Sequence, residues 1–406
     1  MTRPREILVV GGGASGLMAA ITAARAGAGV TVLEHESACG KKILATGNGR
    51  CNLTNTRMAP DAYRSHEPKA VAQVLRRFTV EDTLDFFAGL GLYTRERDGW
   101  VYPYSQQART VLHLLLSEAE RTGVKLQTET KLWEISKISP KGRWQVMTDR
   151  GRFEGDAVIL AAGSKASNLP GADGSGYALA KSLGHKIHPV LPALAPLTGE
   201  GNYFKQWAGL RMEAQVCLRL DKKNAKRERG EVQLTDYGVS GIPVFQLSRY
   251  ATEALHEKRQ AELILDFFPP CSEKKLENLL LEKKSQSPEK DWTEILRGIF
   301  PDKLCPIVMK RVREKHPRQI ARQLKCWSVP VKGWKDYAFA QVCMGGVDLR
   351  QVDPRTLESK LQRGLYFAGE ILDVDGACGG YNLQWAWSSG AVAGRAASQK
   401  GKKESI

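Results

Sequence analysis

The 406-residue chain holds no stretch of about 18 or more consecutive apolar residues, so a membrane-spanning helix is not expected. The short apolar run after Thr2-Arg3-Pro4-Arg5 is no cleavable signal, because it leads straight into a glycine turn that cleavage would destroy. Eight cysteines form no CxxC pair, which argues against structural disulfides and zinc and for a reducing, cytoplasmic setting. No HExxH, no Ser-His-Asp order and no clustering of the seven histidines is found, so neither a hydrolase nor a metalloenzyme is expected, and no metal. The formal charge of +16 allows an anionic partner. The basic residues, however, are scattered, with mild concentrations at Asp221 to Arg229 and Lys400 to Lys403, read as a hairpin tip and a frayed terminus. No aromatic residues interleave them, so nucleic-acid binding is disfavoured and a small-molecule substrate, with no membrane partner, is expected; the oligomeric state is not legible.

What is present begins with Ile7-Leu8-Val9-Val10 and Gly11-Gly12-Gly13-Ala14-Ser15-Gly16, a buried strand, a glycine turn and a helix start. Gly11 permits the tight turn, Gly13 lets backbone N–H groups approach a pyrophosphate and Gly16 lets the helix pack closely on the strand. A second strand, Val30 to Glu34, ends in an acid able to accept ribose hydroxyls. The pattern points to an adenine dinucleotide and leaves FAD and NAD both open. The following run, Cys39 to Asn55, is a long loop rich in glycine and amide, with Lys41, Lys42, Thr46, Gly47, Asn48, Arg50, Cys51 and Asn52 available to an extended ligand. No second strand-GxGxxG-helix follows, so no dedicated nicotinamide domain is expected, and either NAD(P)H binds transiently over the flavin or another reductant or oxygen is used.

Two helices are expected between Pro68 and Gly89 and a hairpin around Asp98-Gly99, with Tyr102, Tyr104 and Arg109 weighed as pocket or core and favoured as core. The helix Ala108 to Thr122 and strands at Val124 to Thr128, Leu132 to Ile138 and Trp144 to Thr148 follow. Phe153 to Leu160 reads as one buried strand ending at Ala161-Ala162-Gly163. Gly171 to Ala180 does not directly follow a strand and is read as a helix entry, not as a second nucleotide site. Prolines from Pro189 to Pro196 open a second region with strands at Ala214 to Leu220, Glu231 to Leu234 and Leu263 to Phe267. Helical stretches follow from Ser272 to Leu324, and strands are expected at Trp327 to Val331 and Ala338 to Val342. The chain closes with the strand Leu365 to Ala368 and a helix from about Leu383 to Ala397.

The Cys39 to Asn55 run, with Gly364 to Gly376 and Gly379-Gly380-Tyr381-Asn382-Leu383-Gln384, resembles the BaiN/YhiN family of FAD-dependent oxidoreductases, also called aminoacetone-oxidase-like flavoproteins. The resemblance runs over nearly the whole chain. It implies an α/β fold: a Rossmann-like FAD-binding domain of the two-dinucleotide-binding flavoprotein type, with an inserted β-rich domain and a small helical subdomain. The expected boundaries are 1–190 and 335–406 for the FAD domain, 191–268 plus 325–334 for the β-rich domain and 269–324 for the helices. Leu132 would sit by the adenine, Ala162 and Gly163 beside the flavin nucleotide, and Gly369 and Glu370 at the ribityl chain. Gly380, Tyr381 and Asn382 would lie at the pyrimidine edge. Family members reduce a steroid-type enone or oxidise a small aminoketone. The expected reaction is therefore NAD(P)H-dependent reduction of an activated C=C bond in a small hydrophobic, bile-acid-like enone, with an amine or aminoketone oxidase as alternative and an RNA-modifying flavoprotein ranked below both. Tyr237 and Tyr381 are the candidate proton donors. Where the family signature reads Thr-His-Phe-Gly-Leu-Ser-Gly-Pro, this chain has Thr235-Asp236-Tyr237-Gly238-Val239-Ser240-Gly241-Ile242-Pro243, so any role of that His is in doubt.

Overall fold

The computed structural model describes residues 3–138, 142–167 and 172–399. It divides into two compact units, Met1–Val190 with Val342–Ile406, and Leu191–Gln341. The basic tail from Lys400 and the first residue of the Gly171 to Ala180 stretch lie outside the described residues.

The first unit is organised on a five-stranded parallel sheet ordered Leu365–Phe367, Ala157–Leu160, Glu6–Val10, Gly29–Leu33, Lys125–Gln127. Its central strands are β-branched or aliphatic runs because both faces are covered. The helix Ala14–Arg25 packs against Tyr381–Ser398 through small residues. A Cβ on Gly390 would meet Ser15 O at 2.5 Å, and one on Gly394 would meet Ala19 O at 2.3 Å. A meander of Leu132–Lys137, Trp144–Thr148 and Gly151–Gly155 stands apart from that sheet.

Phe153 to Leu160, expected as one strand, is therefore two. Gly151–Gly155 belongs to the meander and Ala157–Leu160 to the parallel sheet. The break falls at Asp156, whose carboxylate accepts the Glu6 backbone N–H at 2.8 Å and turns the chain onto the central strand. The expected helices are Pro68–Leu75 and Val80–Gly89, the second capped reciprocally by Thr79 and Asp82.

The second unit is a closed six-stranded barrel in the order Leu197–Gly199, Gly238–Ser240, Lys223–Leu234, Arg211–Leu220, Ala261–Asp266, Trp327–Trp334. Helices Glu273–Gln286, Trp292–Arg297, Leu304–Arg311 and Pro317–Lys325 share its apolar core.

Three readings change here. The basic stretch after Asp221 is strand, not a hairpin tip. Asp221 and Lys222 make the turn with positive φ, and Lys223 to Arg229 pair with Arg211–Leu220. A 15-residue helix, Ile242–His256, went unread; Pro243 in its first turn and the buried Val244, Leu247 and Ala251 are its signals. Residues 338–341 are not strand: a 3₁₀ turn covers Tyr337–Phe339 and the strand begins at Val342.

Candidate functional site

Every feature of this site except the candidate Tyr237 lies in the first unit. The helix Ala14–Arg25 begins at Gly13 with no side-chain cap and no acid in its first turn, and its first intrahelical bond is Leu17 N–H to Gly13 O. Its leading amides therefore point to open space as an anion cradle. A Cβ on Gly13 would meet nothing within 4 Å, whereas one on Gly16 would lie 1.9 Å from Gly11 O. The first glycine leaves room for a ligand; the second allows the turn to close on the helix.

Glu34 is buried at the end of the second strand, its Oε2 accepting from Gly12 N–H at 2.7 Å and its Oε1 from Glu36 N–H at 2.9 Å. These two bonds hold the carboxylate at the mouth of one cleft. That cleft is lined by Gly11, Gly13, Glu34, Lys41, Lys42, Leu132, Ala162 and Gly163, all named from the sequence. It also takes in His35, Thr130, Asp173 and Ser175, which sequence reasoning missed. Burial pushes the Asp173 carboxyl up, but hydrogen bonds from Ser175 together with the nearby His35 bring it below its usual range. The glycine-rich segment around it is the expected helix entry, with Gly174 opening the helix Ser175–Ser182, and tertiary folding brings it to this same cleft.

Neither lysine is a free cation. Lys41 Nζ lies 2.7 Å from Glu36, and Lys42 Nζ lies 2.6 Å from Glu370 Oε2, which also accepts from Ser164 Oγ at 2.9 Å. Ser15 and Gly369 lie together beside them: the Ser15 hydroxyl donates to Ala368 O at 3.4 Å, and a Cβ on Gly369 would lie 2.3 Å from Ser15 Oγ.

The loop expected after Cys39 holds a short helix, Lys41–Ala45, and a 3₁₀ turn, Thr46–Gly49, in which Gly47 and Asn48 take left-handed backbone. Thr46 Oγ donates to Ile43 O at 2.6 Å, and the Arg50 guanidinium stacks over Tyr102 at 5.4 Å. Beyond it, side-chain amides join the two end motifs. With its amide oriented to suit its neighbours, Asn52 donates to Thr54 O and Val101 O at 3.1 Å and accepts from Gly380 N–H at 3.2 Å. Asn55 Nδ2 donates to Gly379 O at 2.8 Å, and the Trp387 indole donates to Leu53 O at 2.9 Å. Asn382 accepts from Gly376 N–H at 2.7 Å and donates to Gly376 O at 2.9 Å. Gly380, in left-handed conformation, opens the helix Tyr381–Ser398 without a side-chain cap, so its N-terminal amides form a second cradle.

The Tyr381 hydroxyl donates to Arg57 O at 3.0 Å, a bond it must leave to serve as an acid. Tyr237 lies in the second unit, its ring 4.3 Å from the Lys335 ammonium; burial pushes both phenols up. Cys51 is fully buried and its thiol is pushed up to about 12 by desolvation, as is that of Cys39, so neither is a thiolate at neutral pH.

Tertiary folding also gathers His66, His188 and Asp373, whose ligand atoms lie within 4.8 Å of one another, although sequence spacing gave no such cluster. The two imidazoles stack at 3.8 Å and 6°, and His66 Nδ1 is already 2.8 Å from Asp373. Stacked rings hold their nitrogen lone pairs in parallel planes, which is poor geometry for one tetrahedral ion.

The fold and this cleft define the class: an oxidoreductase built on a Rossmann-type FAD-binding domain. The chain belongs to the family described as HI0933-like protein Rossmann domain, whose model matches residues 5–396. It is 44% identical over 408 residues to the 3-dehydro-bile acid delta(4,6)-reductase of Clostridium scindens, covering 97% of this chain and 99% of that protein. Against the ribosomal RNA dihydrouridine synthase of Haemophilus influenzae it is 28% identical over 405 residues, covering 96% and 97%. Among solved structures, E. coli quinol fumarate reductase FrdA matches with a TM-score of 0.53 at 17% identity, covering 98% of this chain and 70% of that one. Among the described residues no helix is long and apolar enough to cross a membrane.

Proposed function

We propose that this protein binds FAD and uses NAD(P)H to reduce an activated C=C bond in a small hydrophobic, steroid- or bile-acid-like enone. The observation that carries the reading is the near-full-length 44% identity to a bile acid delta(4,6)-reductase, joined to a cleft whose residues suit an adenine dinucleotide. Open space at Gly13, uncapped amides at the helix start and an oriented Glu34 carboxylate fit the pyrophosphate and ribose of FAD. FAD would supply the hydride chemistry. The chain's own residues bind and orient it: Glu34 at the ribose, Glu370 with Lys42 and Ser164 at the ribityl hydroxyls, and the Tyr381 and Asn382 backbone amides, at the start of the helix that Gly380 opens, at the ring edge, where they favour added negative charge. Within the unit that holds the cleft, Tyr381 is the phenol offered for the substrate proton. Eight cysteines outside any disulfide support a cytoplasmic setting.

A second reading has a specific observation behind it. Relatives at 27% and 28% identity are named as ribosomal RNA dihydrouridine synthases, and this chain carries a formal charge of +16. Making dihydrouridine also saturates a C=C bond conjugated to a carbonyl, so the two readings share a reaction type and differ in substrate. The stronger identity favours the small molecule.

Purified protein should be yellow and release FAD on denaturation, and Glu34→Ala should raise the FAD dissociation constant about tenfold or more; colourless protein that takes up no FAD sinks the reading. For the reaction, the FAD-loaded protein is mixed anaerobically with NADH or NADPH and then with a 3-oxo-4,6-diene steroid. Bleaching followed by recovery with the enone is expected. Flavin bleached by an amine and restored by air, but untouched by either nicotinamide, would establish an oxidase instead. Recovery with an unmodified rRNA transcript, and not with the enone, would establish the second reading.

A further inference from the structure

The hairpin Thr94–Arg97 and Trp100–Pro103, continued by Tyr93 and Tyr104, presents one face to solvent. Antiparallel register sets Arg95 opposite Tyr102 and Arg97 opposite Trp100, and residues directly opposite share a face. The ladder extends to Tyr93 and Tyr104, joined by Tyr104 N–H to Tyr93 O at 2.8 Å, with their rings 5.5 Å apart. Val101 and Pro103 point the other way and are buried, so the second strand alternates, while on the first Glu96 of the opposite face is exposed as well. Tyr93 is 75% and Tyr104 63% exposed, a large cost in exposed aromatic area unless something stacks there. The acids near this face are occupied: Glu96 lies opposite Val101 on the other face and accepts from Gly99 N–H at 2.6 Å, and Asp98 sits at the tip, 3.7 Å from Arg97.

This face begins at the loops assigned above to the flavin. The Arg50 guanidinium lies over the Tyr102 ring at 5.4 Å; a Cβ on Gly47 would lie 3.5 Å from Tyr102 Cε1, and one on Gly379 3.1 Å from Trp100 Nε1. From Trp100 to Tyr104 it runs roughly 14 Å at the usual rise per strand residue. Arginines alternating with aromatic rings match a ligand that alternates phosphates with planar bases: guanidinium groups take phosphate oxygens in bidentate fashion and tyrosine rings stack on bases.

We propose that this aromatic and arginine face is the docking surface for the reduced nicotinamide dinucleotide, Arg95 and Arg97 taking its phosphates and Tyr93 with Tyr104 stacking its adenine. The inference rests on the NAD(P)H reading above. The sequence carries one dinucleotide fingerprint, which serves the FAD cleft, so the donor needs recognition from some other surface that reaches the flavin loops.

The test is anaerobic stopped-flow reduction of the FAD-loaded protein over a range of NADH and NADPH concentrations, giving an apparent donor Kd and a limiting rate. Arg95→Glu with Arg97→Glu, and separately Tyr93→Ala with Tyr104→Ala, should raise that Kd tenfold or more while the limiting rate stays within about threefold. Arg95→Lys with Arg97→Lys should fall between. Lys223→Glu, on the barrel, should leave the Kd unchanged. Should the Glu pair shed its flavin, Tyr104→Ala alone decides, since its ring is exposed. Variants that saturate at the wild-type donor concentration overturn the inference and leave the donor reading standing, whereas wild-type flavin that neither nicotinamide reduces overturns the donor reading itself. An equal loss in Lys223→Glu would mark bulk charge and overturn the assignment. So would a short single-stranded RNA that the Glu pair no longer binds while its donor Kd holds.

Discussion

Two regions of this protein are held together by opposite means. Around Gly376 to Gln384 and Asn52 to Asn55, order comes from side-chain amides bonding backbone, Asn52 to Gly380, Asn55 to Gly379 and Asn382 to Gly376, and from the Thr54 hydroxyl donating to the Gln384 side-chain oxygen. Inside the barrel unit, order comes from aromatic packing. Tyr203, Phe204, Trp207, Phe267 and Trp327 form one cluster with neighbouring ring centroids 4.6–6.5 Å apart, and Arg311 lies over two of the rings. A hydrogen-bonded loop fixes the position of individual N–H groups, which a bound anion needs; apolar packing fixes volume and tolerates exchange of side chains of similar size. The first arrangement therefore suits a cofactor site and the second a scaffold.

The contrast breaks most sharply at Gly380. Its φ is +92° and an added Cβ would lie 2.5 Å from Thr54 O, so Gly380→Ala combines left-handed strain with a backbone clash. A loss of roughly 3–5 kcal/mol is expected, with nearly all bound flavin, read as the ratio of visible to ultraviolet absorbance and by thermal melting. Trp207→Ala in the barrel should cost a similar amount, about 3–5 kcal/mol, because the ring is fully buried. The flavin content of the protein still folded should nevertheless match wild type. Equal flavin loss in the two variants would erase the distinction between site and scaffold.

The smallest expected effect sharpens the polar side. Asp348 is buried, accepts two bonds from the Arg350 guanidinium, and is held down at about 2. A carboxyl whose folded value lies below its unfolded value of about 3.9 contributes stability above that value and loses it as pH falls toward 2. Arg350 is half exposed, which screens the pair, so Asp348→Asn should cost about 1–2 kcal/mol at pH 7 and progressively less from pH 4 to pH 2, measured by urea unfolding. A cost independent of pH would remove the ion pair from the account.

Much of the first unit was legible because its signals are local. A glycine turn needs its glycines in consecutive places, so the Gly11 to Gly16 turn and the Glu34 strand end could be read within a few residues. Asp173 and Ser175 could not, since nothing near them in sequence says that they return to the Glu34 cleft. Lys223 to Arg229 failed for a related reason. The segment has no apolar alternation, and only its pairing partner, Arg211–Leu220, makes it a strand. The missed helix Ile242–His256 is different, because Pro243 and the apolar spacing after it were there to be read.

By itself the sequence determined the dinucleotide turn, the acid that follows it and the two end motifs, because each is set by backbone geometry over a short span. Only the tertiary structure decided that those motifs interlock through Asn52 and Asn55, that Lys42 is neutralised by Glu370, and that Tyr104 is exposed and Tyr102 half-buried rather than both in the core where their composition had placed them. Such pairings join residues up to 328 positions apart. Their energies depend on burial and distance, which a linear pattern does not contain until the chain has folded.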